Sequence, residues 1–275
     1  MEAKNKPTTA IEVALKEIAE ILATHCPLIS IYCFGLHCNN NTKHDILAGQ
    51  CATAHRHDHF MLFACAEKLP QNATANLMDI VATETEGNYT CTLLLHTHKQ
   101  LATAKPDQKH FYRDVLEKGW LIAGEALDAE KLKLTNLPEK DTERIRKFVL
   151  DRRMLASSLL LEPAEGDETL LVAVTVHAAL ELLFLSGIYA HLQYRPNHFH
   201  LKYLYDLFQF CCPIPDCVFP ASFFEQDQFQ EILNTNYNDL RFRGRNVYEL
   251  EDVLSIRIFA RHLFGHFTVC SYGEP

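Results

Sequence analysis

Asp58-His59-Phe60-Met61-Leu62-Phe63-Ala64-Cys65-Ala66 is the stretch whose reading decides the first half of this chain. Phe60 to Ala66 is a short, uninterrupted apolar run bounded by polar residues, which reads as a buried strand rather than a helix. Upstream, Leu28 to Phe34 reads as another strand ending at Gly35, followed by a long polar loop that includes Asn39-Asn40-Asn41. Before it, Ile11, Val13, Leu15, Ile18, Ile21 and Leu22 recur at helical spacing over Thr8 to Thr24, with Thr8 or Thr9 placed to cap. Downstream come a helix over Asn72 to Glu86, a turn at Gly87-Asn88 and a third strand from Thr90 to His96. Helical turns over His110 to Glu117 and a short strand, Trp120-Leu121-Ile122, close this half. Strands alternating with helices imply a small sheet with helices packed on it.

From Glu139 onward the period changes. Arg144 to Leu161, Leu170 to Ala190, His198 to Cys211, Phe223 to Leu233 and Tyr248 to Phe267 read as helices. Turns fall at Pro163-Ala164-Glu165-Gly166-Asp167 and Tyr194-Arg195-Pro196-Asn197, and Pro213 to Pro220 interrupts. Val172, Val176, Ala179, Leu183 and Ser186 or Gly187 mark a buried face of the second of these helices. The second half therefore reads as a helical bundle. Leu137-Pro138-Glu139-Lys140-Asp141 separates the patterns, giving domains over 1–136 and 137–275.

Composition narrows the function classes. Hydrophobic residues make up 48% and charged residues 22% of 275, as in ordinary globular chains, so wholesale disorder is excluded. The most apolar stretch, Leu170 to Ala190, carries His177 and Glu181 at its middle, which argues for a buried helix and against a membrane partner. The first residues lack a basic segment followed by an apolar block, so no export signal is expected. The ten cysteines form no CxxC pair, and several sit in apolar strands such as Ile31-Tyr32-Cys33-Phe34, so reduced core thiols in a cytoplasmic setting are expected. Net charge is −9, divided as −3 over residues 1–136 and −6 over 137–275, so neither half is a general polyanion binder. Any nucleic-acid contact must use a local patch. Arg241-Phe242-Arg243-Gly244-Arg245 is a compact one, equally readable as a solvated turn.

Histidines raise a separate question. His55, His57 and His59 alternate into the second strand, and His96 and His98 end the third. Alternation in extended chain turns imidazoles to one side, as a zinc site needs, but no cysteine joins them at a recognised ligand spacing. No metal and no cofactor is expected.

The order of helix, strand ending in Phe34-Gly35, long loop, strand opening at Asp58, helix and third strand resembles the nucleotidyltransferase fold of the polymerase-beta superfamily. Phe111 to Ile122 is similar to that family's closing helix and strand. The resemblance implies a Gly-Ser turn for phosphate binding and three carboxylates that hold two magnesium ions. Here Gly35 is followed by Leu36, Asp58 fills the first aspartate position, Phe60 stands in the second, and Cys91 to His96 contains no acid. Gly35, Leu36 and Asp58 are thus the remains of a nucleotide site, and nucleotidyl transfer is not expected. Asp58 also reads as a plain polar residue at a strand start.

The second half resembles the HEPN family of helical bundles. The residues that carry this are Val172 to Tyr189, the segment Tyr194-Arg195-Pro196-Asn197-His198-Phe199-His200-Leu201, Tyr237, and the Arg243 to Leu250 run into the last helix. Together the halves resemble fused bacterial nucleotidyltransferase–HEPN proteins, with a toxin–antitoxin-like setting. The expected fold class is an α+β nucleotidyltransferase-like domain followed by an all-α HEPN bundle. The resemblance implies a homodimer paired through HEPN helices and a nucleotide or RNA ligand. It also implies metal-independent ribonuclease chemistry through Arg195 and His200, which have the family's spacing. Pro196 suits a first helical position, so Arg195 is expected at the cap and His200 one turn into the helix. His200 would then move a proton and Arg195 stabilise phosphoryl charge. His200 is equally readable as a capping or packing residue. The sequence reading is a binding or regulatory protein directed at nucleotide or RNA. Its alternatives are an endoribonuclease using Arg195 and His200, and a purely structural interaction module.

Overall fold

In the computed structural model the strands of the first half are apolar on both sides because helices cover both faces of their sheet. The structure describes residues 9–38, 42–45, 58–161, 169–214, 219, 221–224, 226–243 and 248–270. The loop residues Asn39-Asn40-Asn41, His55, His57 and the turn over 163–167 lie outside them. The chain divides into two compact units, Met1–Lys140 and Asp141–Pro275.

The first unit runs α1 (Thr9–His25), β1 (Leu28–Cys38), β2 (Thr42–Asp45), β3 (Asp58–Ala66), α2 (Ala73–Glu84), β4 (Tyr89–Thr97), α3 (His98–Ala102), α4 (Pro106–Lys118) and β5 (Trp120–Gly124). The sheet order is β2-β1-β3-β4, with β5 also paired to β1. β1 lies antiparallel to β2, β3 and β5, and β3 lies parallel to β4. Side chains alternate along the pleat. Ile31, Cys33, Phe60, Leu62, Ala64, Leu93 and Leu95 join Leu15, Ile18 and Leu22 of α1 and Leu77 and Val81 of α2 in one core. The opposite side of the sheet meets α4: Phe34 packs edge-on against Phe111 at 5.6 Å, and Phe63 lies 5.6 Å from Tyr112.

β1 is longer than its sequence reading. Gly35 pairs with Asp45 and, across a register shift, with Met61, while Leu36 pairs with His44 and Phe60. The apolar run does not stop at Gly35 because Leu36 is fully buried in the helix-covered core. The sheet ends at Gly124, whose φ of +79° and close approach to the Ile29 carbonyl leave no room for a β-carbon.

The second unit contains α5 (Thr142–Leu159), α6 (Thr169–Leu192), α7 (Leu201–Cys211), α8 (Ala221–Phe224), α9 (Asp227–Asn234), α10 (Tyr237–Arg243) and α11 (Leu250–Cys270). Asp141 caps α5, its carboxylate accepting from the Arg144 amide at 2.9 Å. At the other end of α5, Arg261 donates through Nε and Nη2 to the Leu160 carbonyl at 3.0 and 2.9 Å, satisfying an acceptor that the helix leaves open. Phe223, Phe224, Phe229 and Phe259 form an aromatic cluster joining α8, α9 and α11.

α6 is the central helix, in contact with α5, α7, α10 and α11. Besides Val172, Val176, Ala179, Leu183, Ser186 and Gly187, it buries Ala173, His177, Leu180, Phe184, Ile188 and Tyr189. A single amphipathic face therefore understates it: neighbours on several sides take up apolar residues around most of its circumference. By length and composition α6 would cross a bilayer, but 61% of its most apolar window is buried inside this unit.

Candidate functional site

The sheet accounts for the first group of sequence candidates. Asp58 opens β3, buried, in register with Tyr89 and Cys38. Phe60 is fully buried and packs edge-on against Tyr89 at 6.1 Å. Gly35 and Leu36 stand inside β1, so the turn expected there is replaced by strand pairing on both sides. A phosphate cradle needs free backbone amides, and those of a strand bonded to two neighbours are spent.

The histidines of the sheet are also committed. His59 lies within hydrogen-bond distance of the Thr90 and Thr92 hydroxyls, at 2.7 and 2.8 Å, through its two ring nitrogens. His96 sits at the far end of β4, buried against Phe63 and Tyr112. Burial lowers its pKa to about 4. Partners aligned with Asp58 at one end of β4 and Cys65 at the other keep these two imidazoles apart. Among the described residues no group of three or more His, Cys, Asp or Glu is placed to hold a metal ion.

The second group lies on the link between α6 and α7. α6 ends where Gln193 takes a left-handed φ of 53°, its side-chain amide donating to the Ala190 and His191 carbonyls. Tyr194 and Pro196 are then buried, while Asn197 and Phe199 are exposed. From Gln193 to His200 the chain is neither helix nor strand, with a bend at Asn197, and His200, in extended backbone, is the N-cap of α7. The helix expected from His198 therefore starts at Leu201, and Arg195 does not cap it. Two causes combine: a proline disfavours helical backbone at the residue before it, and Tyr194 and Pro196 are both buried on the link while Asn197 bends the chain.

This changes the imidazole geometry. On a helix His198 and His200 would diverge by about 200°; on the non-helical link their rings are stacked at 6.1 Å and 13°. His198 also meets the Tyr203 ring edge-on at 5.0 Å. The His200 side chain makes no capping bond, although its carbonyl accepts from the Leu204 amide at 3.1 Å. Capping is thus not what its imidazole does.

Arg195 is held from the other side. Its Nη2 donates to the Tyr189 hydroxyl at 3.2 Å, and its guanidinium carbon lies 4.9 Å from the centre of the Tyr189 ring and 4.8 Å from that of Phe148. Phe148 and Tyr189 have ring centres 4.0 Å apart. A second guanidinium, Arg152, lies 3.4 Å above Phe148. Sequence reading did not single out Arg152, yet a signal was present: Phe148 and Arg152 are four apart on one helix and so share a face.

His177 was likewise missed as a site residue. It is 1% exposed, stacks on Tyr237 at 5.0 Å and 22°, and neither ring nitrogen makes a hydrogen bond. Burial drives its pKa down to about 4; the Thr235 backbone, too poorly placed for a regular hydrogen bond, opposes this, and the nearby His200 adds to it. The link thus joins Arg195 to Arg152 and brings His200 beside His198 and within electrostatic range of His177. Of the basic patch from Arg241 to Arg245, α10 takes the first three residues, Phe242 is exposed, and Gly244 and Arg245 lie outside the described residues.

No family model, no curated protein and no solved structure matches the chain.

Proposed function

We propose that this chain is a nucleotide- or RNA-directed binding or regulatory protein. It consists of a degenerate nucleotidyltransferase-like domain followed by a HEPN domain and works as a homodimer through the helical domain. The observation that carries the reading is the non-helical link from Gln193 to His200. In a chain of net charge −9, a polyanion contact has to be local, and this segment holds Arg195, His198 and His200 half-buried beside exposed Phe199. Cation, imidazole and exposed ring suit a single-stranded or nucleotide ligand, whose phosphate and base want those groups. Burial of Phe60 and Leu36 supports a silent transferase site, because an apolar core residue replaces each missing function.

Thermal stabilisation tests the reading: a ligand bound only by the folded state raises stability by RT ln(1 + [L]/Kd). We expect stabilisation by single-stranded RNA or a nucleoside triphosphate, and no magnesium-dependent nucleotidyl transfer. A transfer activity abolished by Asp58→Asn would overturn the degenerate reading, and stabilisation by neither ligand would leave the structural-module alternative. The endoribonuclease reading is favoured by one observation, that the His200 imidazole is not used for capping and stands half-exposed beside His198.

A further inference from the structure

Two guanidinium groups converge on one aromatic ring in the helical unit. Arg152 lies 3.4 Å over Phe148, and Arg195 reaches the same ring at 4.8 Å from the far end of α6 in sequence. At 3.4 Å a planar guanidinium must lie nearly flat on the ring, so its N–H groups point sideways, away from the π face. Among the described residues Arg152 makes no hydrogen bond and no ion pair; the neighbouring carboxylate is that of Asp151. Burial and the Arg195 charge both disfavour the Arg152 cation, opposed by Asp151 and Tyr189. Two like charges held this close repel, and an anion between them turns the repulsion into attraction. The Tyr189 hydroxyl fixes Arg195 from behind at 3.2 Å, so one half of the arrangement is set before any ligand arrives. Arg152, Phe148 and Arg195 are all half-buried, leaving an edge open to solvent.

We propose that Arg152 and Arg195, gathered on Phe148, form an anion site that receives a phosphate group of the ligand. This rests on the nucleotide- or RNA-directed reading and adds to it a second arginine, on α5. Two planar forks can each donate in parallel to phosphate oxygens, the geometry for which arginine is suited. The phosphate is either a phosphodiester of single-stranded RNA or the terminal group of a free nucleotide.

The test uses the full chain, titrated separately with a fluorescent single-stranded oligouridylate and with ATP, at several salt concentrations. Arg152→Met keeps the aliphatic stem on Phe148 and removes the charge; Arg146→Met removes a charge from an exposed position on the same helix. Thermal denaturation verifies that both fold. We expect Arg152→Met to weaken binding about tenfold, as for loss of a charge-assisted hydrogen bond, and Arg146→Met to leave it within about twofold. For the RNA arm the slope of log affinity against log salt should fall by about 0.7, one phosphate contact on a single strand. A loss confined to the ATP arm identifies the terminal phosphate as the source. Equal losses in both variants, or an unchanged affinity in Arg152→Met while Arg195→Met weakens binding, would overturn the paired site and leave the functional reading intact. Binding of neither probe by the unsubstituted chain would overturn both.

Discussion

His198 and His200 stand with their rings stacked, centroids 6.1 Å apart and planes 13° from parallel, on the non-helical link that enters α7. Two imidazoles stacked this closely share solvent and field. If the link cleaves RNA, activity persists in chelator, because arginine and imidazole need no metal. His200→Ala then lowers the rate by about 10²–10⁴. His198→Ala also lowers the rate, because it removes the ring stacked on His200. Cleavage rates measured for both variants check this; an unaltered rate in His198→Ala would show that the stacking has no functional consequence.

His177 makes the helical unit acid-sensitive. Its folded pKa, near 4, lies below the ordinary 6.5, so between these values the unfolded chain binds a proton that the folded one refuses. Its contribution is fully present above pH 6.5 and is lost as pH falls toward 4. At about 1.4 kcal/mol per pH unit the whole swing is on the order of 3 kcal/mol. His177→Phe preserves a ring against Tyr237 and removes the titration. Its denaturation midpoint, relative to that of the unsubstituted chain, should rise more at pH 5 than at pH 8. Parallel curves across this range would count against it.

Leu183 is fully buried in α6, the helix that four others surround. Leu183→Ala should cost about 2–5 kcal/mol, the transfer free energy plus the cavity left behind. Urea titration reads this as a lower midpoint with little change in slope. A midpoint that does not move would show that the neighbouring helices close the gap without loss.

Residues Pro138 to Arg144 are all exposed, and the Asp141 cap starts α5 just beyond Lys140. Brief trypsin treatment should cut first at Lys140 and release two pieces that each unfold cooperatively. First cuts inside α5 or α6 would contradict this. So would a fragment without a folding transition of its own.

Local chemistry carried much of the fold into view. The apolar run from Phe60 to Ala66 belongs to β3, the helical repeat from Ile11 to Leu22 belongs to α1, and Leu170 to Ala190 falls within α6. Each is a pattern among near neighbours, and burial of one face imposes it directly on the sequence. The Phe148–Arg152 stack belongs to the same class, being set by a four-residue helical step. Packing between remote segments decided the rest. Gly35 before a polar stretch looks like a strand end, yet pairing with β2 and β3 draws Leu36 into the core and carries the strand to Cys38. Arg195 and Pro196 look like a helix start, yet with Tyr194 and Pro196 buried the link stays non-helical, stacks His198 on His200 and leaves α7 to begin at Leu201. The convergence of Arg195 with Arg152, and of His200 with His177, joins residues more than twenty apart in the chain. Periodicity describes which side of its own element a residue faces; which distant residue waits on that side depends on how the elements dock, and only the folded chain determines that.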